Sequence, residues 1–182
     1  MIELQILTPT HWSEATKLYE RAFPSNERRP TGQWRQCMLS QKSFRPYAIV
    51  EGGEFCGFIT AWELAGFVYV EHFATEPAKR NGGIGGRALE LFKSRYSPRP
   101  IVLEVELPTD GMAGRRVVFY ERHGFTLLDL EYRQPPYRPG GRFLPLQLMS
   151  DRPEWVKDRF EAVRADIYRT VYGVQADKIC IK

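Results

Sequence analysis

Four glycines stand within seven residues at Arg80, Asn81, Gly82, Gly83, Ile84, Gly85 and Gly86. An apolar segment precedes them and an amphipathic one follows, so a helix is expected to begin inside this turn. The first turn of a helix exposes unpaired backbone N–H groups and a partial positive charge, which together attract anions. Glycine lets that backbone approach a phosphate without a Cβ in the way, and Arg80 can add a charge-assisted contact. Two familiar phosphate loops do not fit. Counted from Gly82, the P-loop pattern needs glycine at position 87, which is Arg87; the dinucleotide pattern from Gly83 needs glycine at position 88, which is Ala88. What fits is R-x-x-G-x-G on Arg80, Gly83 and Gly85. A glycine-rich turn that merely starts a helix would fit it as well.

The elements that must position this turn can be read from hydrophobic spacing. Residues 2–7 alternate as a strand. A helix capped by Thr10 carries Trp12, Ala15, Leu18, Tyr19 and Ala22 and stops at Pro24; a short helix follows near 34–39. Residues 47–51 and 54–62 read as strands joined by Gly52-Gly53, a hairpin signal. The next strand, 67–75, is apolar at nearly every position and so buried on both faces. After the glycine turn, Ile84, Ala88, Leu91 and Phe92 share one helix side, and 101–107 is a strand. Strand, turn, helix and strand from 67 to 107 make a parallel crossover. A helix over 112–123 with Ala113, Val117 and Tyr120 on one stripe ends at Gly124. Strands at 125–132 and 143–149 flank a loop at 134–141. The tail, 151–172, reads as one long helix opened by an Asp151/Glu154 capping box, with Val156, Phe160, Val163, Ile167 and Val171 as its apolar stripe. The class is α/β or α+β, helices and strands mixed around a central sheet.

On R-x-x-G-x-G, on Phe73-Ala74-Thr75-Glu76-Pro77 before it and on Phe119-Tyr120-Glu121-Arg122-His123-Gly124-Phe125 after it, the sequence resembles the GNAT family (GCN5-related N-acetyltransferases). The resemblance is specific over 71–125 and follows the element order of 2–149. It implies a mixed, mostly antiparallel sheet flanked by helices, with residues 1–149 as the acetyltransferase domain; 150–182 lies outside the resemblance and, from its apolar stripe, is expected as a helical extension packed on that domain or on a second copy. It implies acetyl-CoA as cosubstrate, with its pyrophosphate on Arg80, Asn81, Gly82, Gly83, Ile84, Gly85 and Gly86, and its pantetheine arm along Phe73, Ala74 and Thr75. It also implies direct transfer of the acetyl group to a primary amine through a tetrahedral intermediate.

Such a transfer needs a group to take the amine proton and one to protonate the leaving thiolate. Glu71 is the candidate base. It shares a strand face with Tyr69 and Phe73, and a carboxylate between aromatic rings would lose water and rise in pKa. Alternatively it pairs with a nearby arginine, or contacts the substrate amine without deprotonating it. Tyr120 matches the family's tyrosine near the CoA sulfur and is the candidate acid; the alternative is a core aromatic. Arg115 and Arg116 either reach CoA phosphates or lie on a solvated face. His72, His123 and Cys56 receive no role. By resemblance, 23–32 and 134–142 shape the acceptor pocket; their arginines either hold an acidic group beside the amine or belong to a solvated loop. A catalytically silent acyl-CoA-binding regulatory domain is the competing reading.

Composition sets the outer limits. The chain has 182 residues, 43% hydrophobic and 26% charged, enough for a core without staples. Its net charge of +4 comes from scattered residues, not the clustered Lys/Arg of a nucleic-acid module. Cys37, Cys56 and Cys180 are odd in number and widely spaced, and His11, His72 and His123 are isolated, so neither a disulfide framework nor a metal site is expected. The start lacks a signal-peptide pattern and no apolar run suits a membrane span, which points to the cytoplasm. The expected partner is a small-molecule or peptide amine; by resemblance a homodimer is an open alternative to a single copy, which the sequence does not decide.

Overall fold

The computed structural model describes residues 1–80, 82–107 and 111–174. Its elements follow in the order β1 (Ile2–Ile6), α1 (Trp12–Ala22), α2 (Thr31–Ser40), β2 (Phe44–Glu51), β3 (Glu54–Glu63), β4 (Val68–Thr75), α3 (Ile84–Tyr96), β5 (Ile101–Glu106), α4 (Gly111–Glu121), β6 (Thr126–Leu127), β7 (Arg133–Gln134), β8 (Leu144–Ser150), α5 (Pro153–Lys157) and α6 (Phe160–Thr170). The chain forms two compact units, Met1–Glu63 with Val70–Pro98, and Leu64–Tyr69 with Arg99–Lys182. Neighbouring strands run β1-β2-β3-β4 in the first unit and β4-β5-β8-β6 in the second, with β7 also on β8. The pairs are antiparallel except β4 with β5, the expected parallel crossover. The mixed, mostly antiparallel α/β class read from the sequence is therefore the one found.

In the first unit, β1 buries Ile2 and Leu4 and pairs with β2 from Ile2 opposite Glu51 to Ile6 opposite Tyr47. Glu51 opposite Glu54 leaves Gly52 and Gly53 as a two-residue turn, both at positive φ, the conformation a tight hairpin demands. The register shifts at Ile49/Val50, opposite Gly57. A Cβ on Gly57 would lie 2.3 Å from the Ala74 carbonyl oxygen, so only glycine lets β3 come this close to β4. Tyr19 of α1 stacks on Trp34 of α2 at 4.0 Å, and Phe58 of β3 lies 5.4 Å from Trp34, giving an aromatic core under both helices. Thr10 does not cap α1. It falls in a 3-10 turn, Pro9–His11, whose tighter winding moves the helix start to Trp12.

Helix α3 buries Ile84, Ala88, Leu89, Phe92 and Tyr96, while Leu91, expected inside, is exposed. Its far end is fastened to the sheet. The Tyr96 hydroxyl lies 2.8 Å from that of Tyr47, and Arg95 donates to the Leu4 carbonyl at 3.1 Å with its guanidinium over the Tyr47 ring.

Three sequence-based expectations fail in the second unit. The strand expected over 125–132 is reduced to β6. Leu127 lies opposite Met149 and Arg133 opposite Pro145, so six steps on this segment face four on β8. The excess must bulge away, and pairing resumes only at β7. The tail is two helices, not one. After Lys157 the bonds tighten, with Arg159 N–H donating to Val156 three residues back, and α6 restarts at Phe160. Asp151 does not cap the tail; its Oδ1 accepts the Ile101 N–H at 2.8 Å, tying the start of β5 to the end of β8. The tail's apolar residues Val156, Val163, Ile167, Tyr168 and Val171 are nevertheless buried. Gly66 and Phe67 pack against Trp155 within this unit.

Candidate active site

The glycine turn sits in the first unit as anticipated, between β4 and α3. Gly83 is the N-cap residue at φ 71, a left-handed conformation that explains the glycine. The N-cap residue supplies no side-chain cap and the first turn of α3 holds no acidic residue, so the helix itself places no anion at the N–H groups around Gly85 and Gly86. Ile84 turns inward and anchors the turn to the core. Arg80 is exposed, its guanidinium 3.5 Å from the Thr75 carbonyl. Asn81 lies outside the described residues. Sequence reasoning overlooked Arg87. Its guanidinium donates to the Gly82 carbonyl at 3.0 Å and pairs with Glu51 at 3.2 Å, so it braces the turn from behind. A cation one residue past the last glycine was the available signal. Phe73 and Thr75 are half-buried on β4, and Ala74 is buried against Gly57.

Glu71 is fully buried at its side chain, but what meets its carboxylate is a cation. Arg29 Nε donates to Oε1 at 2.9 Å and Trp62 Nε1 donates to Oε2 at 2.8 Å. The Arg29 guanidinium also lies 5.4 Å from the Trp62 ring centroid. Arg29 belongs to the 23–32 segment, and two further bonds hold that segment down. Its N–H donates to the Tyr19 hydroxyl at 2.9 Å, and His72 Nε2 donates to the Glu27 carbonyl at 3.1 Å. His72 is buried against Tyr19 and Phe23, and burial pulls its pKa below the usual imidazole value.

Tyr120 lies in the second unit near the end of α4. Its ring meets Phe119 at 5.3 Å and Phe125 at 5.7 Å, edge to face. Burial pushes its pKa up to about 12, partly opposed by Arg116, so the phenol holds its proton at neutral pH. Gly124 at φ 80 ends the helix and returns the chain to Phe125. Arg116 pairs with Glu106 at 2.6 Å.

The second unit also holds a polar cluster that sequence reasoning missed. Glu104 on β5 accepts hydrogen bonds from the Tyr132 hydroxyl, from Gln134 Nε2 at 2.8 Å and from the Tyr172 hydroxyl at 2.9 Å. The single proton of Tyr172 is spent on Glu104, and the Tyr69 hydroxyl, 3.1 Å from that of Tyr172, also hydrogen-bonds Glu104, so its one proton serves either the carboxylate or the Tyr172 oxygen. Tyr137 lies 3.5 Å from that oxygen. Burial raises the Glu104 pKa to about 7, against the opposing pull of these donors. A charged residue in the otherwise apolar run Ile101–Val105 was the signal for it. Among the described residues no group of three or more His, Cys, Asp or Glu side chains is placed to hold a metal ion.

Known proteins bear on this geometry in three ways. A family model of the GNAT acetyltransferase domain matches residues 43–127, the stretch that carries Glu71, the glycine turn, Glu104 and Tyr120. Among curated proteins none matches the chain. Among solved structures, a protein from Bacteroides thetaiotaomicron ascribed to the GNAT family of acetyltransferases is 41% identical, with a TM-score of 0.89 over 95% of this chain and 99% of that one. The ribosomal-protein-S18-alanine N-acetyltransferase of Escherichia coli is 17% identical, with a TM-score of 0.62 over 82% of this chain and 92% of that one. Arabidopsis thaliana NAA60, solved with acetyl-CoA, is 16% identical, with a TM-score of 0.63 over 82% of this chain and 97% of that one. The last two share the fold alone. The first shares sequence across nearly its whole length, and on that ground the chain belongs to the GNAT family of acetyltransferases.

Proposed function

We propose that the protein moves an acetyl group from acetyl-CoA directly to a primary amine. The observation that carries this reading is the start of α3, an uncapped helix end on a left-handed glycine with no acidic residue in its first turn. A diphosphate fits there. The N–H groups around Gly82, Gly83, Gly85 and Gly86 would donate to its oxygens, and Arg80 would add a flexible positive charge. Phe73 and Thr75 would lend backbone groups to the pantetheine arm, with Ala74 seated behind them. The cosubstrate supplies a thioester whose carbonyl an amine can attack. Tyr120 would return a proton to the departing sulfur, a role suited to a phenol that burial keeps protonated. With both carboxylate oxygens engaged by Arg29 and Trp62, Glu71 is better suited to positioning the 23–32 segment than to taking a proton.

Titration calorimetry with acetyl-CoA tests the first half, and release of CoA thiol with a panel of primary amines tests the second. Micromolar binding that weakens about tenfold or more in Arg80→Ala is expected, with thiol release dependent on amine. No heat with acetyl-CoA in the wild-type protein would end the proposal. Binding without thiol release for any amine would favour the silent acyl-CoA-binding reading.

A further inference from the structure

The tip of the β2–β3 hairpin reaches the glycine turn. There Glu51 lies directly opposite Glu54, with only Gly52 and Gly53 between them. Like charges directly opposite across two strands are unfavourable, so the tip needs cations, and the glycine turn supplies one from each flank. Lys79, just before the turn, pairs with Glu54, and Arg87, just after it, pairs with Glu51 at 3.2 Å. Both pairs meet solvent and add little to stability. What Arg87 holds in place is of more consequence.

Arg87 spreads its guanidinium between two acceptors. Nη1 faces the Glu51 carboxylate, while Nη2 donates to the Gly82 carbonyl at 3.0 Å. That carbonyl belongs to the Gly82–Gly83 peptide, which has no Cβ on either side. A flip of this peptide changes only ψ of Gly82 and φ of Gly83, rotations that glycine makes at little steric cost. The helix does not prevent it, because the first helical bond, from the Arg87 N–H, goes to the next carbonyl, that of Gly83. In a trans peptide the C=O and the N–H point to opposite sides. With the Gly82 oxygen turned toward Arg87, the Gly83 N–H is turned away from it. Flipped, the same peptide would present a carbonyl oxygen, with its partial negative charge, where it now presents a donor.

We propose that Arg87, oriented by Glu51, is a positioning residue that locks the Gly82–Gly83 peptide with its N–H toward the diphosphate of the cosubstrate. Arg87 then acts through the backbone and not by touching the phosphates, and the hairpin tip, far away in sequence, sets what fraction of the protein is ready to bind. The assignment rests on the acetyl-CoA reading for its use in catalysis, but the orientation of the peptide can be measured without turnover.

Arg87→Met removes the lock and keeps the apolar stem of the side chain. Acetyl-CoA affinity by titration calorimetry should fall about fivefold or more, as it would if about a fifth of the unlocked protein held the N–H in place. The KM for acetyl-CoA in CoA-thiol release should rise with it, while kcat and the melting temperature stay close to the wild-type values. The loss should persist in about 0.5 M sodium chloride, which screens the charge of an exposed arginine but does not reorient a peptide. Glu51→Ala gives a test of opposite sign and covers the case in which Arg87→Met does not fold. Losing a negative charge beside the turn would by itself tighten the binding of an anion, whereas a loosened Arg87 should weaken it about twofold at the same salt. Equal affinity in the wild type and Arg87→Met, a loss abolished by salt, a melting temperature that drops along with affinity, or tighter binding in Glu51→Ala overturns the lock. If the wild-type protein does not bind acetyl-CoA, the acetyltransferase reading is lost and inorganic pyrophosphate decides the lock. A saturable shift of the Gly83 amide resonance that is weakened in Arg87→Met upholds it; no shift, or equal shifts in both proteins, overturns it.

Discussion

Replacing Glu104 by glutamine should change how stability depends on pH, in a direction and size that the structure sets. An ordinary carboxyl titrates near 4.5, and in the folded protein burial carries Glu104 to about 7. The folded state therefore holds a proton that the unfolded chain has released. Its contribution to stability is complete below pH 4.5, declines as pH rises, and is gone once pH passes 7. The distance between the two values corresponds to about 3 kcal/mol. His72 works in the opposite sense. Its pKa is lowered by burial, so stability is lost as pH falls through its folded value. The raw wild-type profile mixes the two effects. Urea unfolding of wild-type and Glu104→Gln at half-unit steps from pH 4.5 to 8 separates them, because His72 is common to both. The wild-type advantage over the variant should shrink by about 3 kcal/mol between pH 4.5 and 7.5 and then level off. A difference that stays flat, or grows with pH, would show that the carboxyl is not held protonated and that the desolvation reasoning is wrong.

Arg29→Met should destabilise by about 3–5 kcal/mol, because it strands the buried Glu71 carboxylate, and adding Glu71→Gln should recover much of the loss in the same unfolding assay. Tyr120→Phe should lower kcat for thiol release by about 10²-fold with little change in the KM for acetyl-CoA, since only the proposed proton donor is removed. Gly57→Ala should cost about 2–3 kcal/mol by thermal or urea unfolding, as its methyl would press on the Ala74 carbonyl and push β3 from β4.

Features that depend on neighbouring residues were legible in the sequence. Gly52-Gly53 forms the hairpin, Gly83 opens α3, and Gly124 ends α4 because each meets a local backbone demand. Segments whose form depends on distant partners were not. The 125–132 run has strand-like residues, yet the register of β8 leaves it too long to pair. The tail stripe keeps helical spacing straight through Asp158, so nothing in its period announces the break between α5 and α6. Glu71 stood out as a buried acid, but its partner Arg29 is 42 residues away and could not be assigned by spacing. Glu104 is harder still, because Tyr69, the Tyr132/Gln134 segment and Tyr172 converge on it from three separate places in the chain.

The far end of α3 carries a mechanical implication. The helix has 13 residues and so spans on the order of 20 Å, with the glycine turn at one tip and Arg95 and Tyr96 at the other. Because that second tip is lashed to Leu4 and Tyr47, the rod behaves as a lever whose fulcrum lies on the two outermost strands of its unit. A tilt of about 3° there swings the glycine tip by about 1 Å, a misplacement of the size that slows enzymes by about a hundredfold. Under the proposed acetyl-CoA reading, residues remote from the glycine turn would thus govern how well the cosubstrate is held.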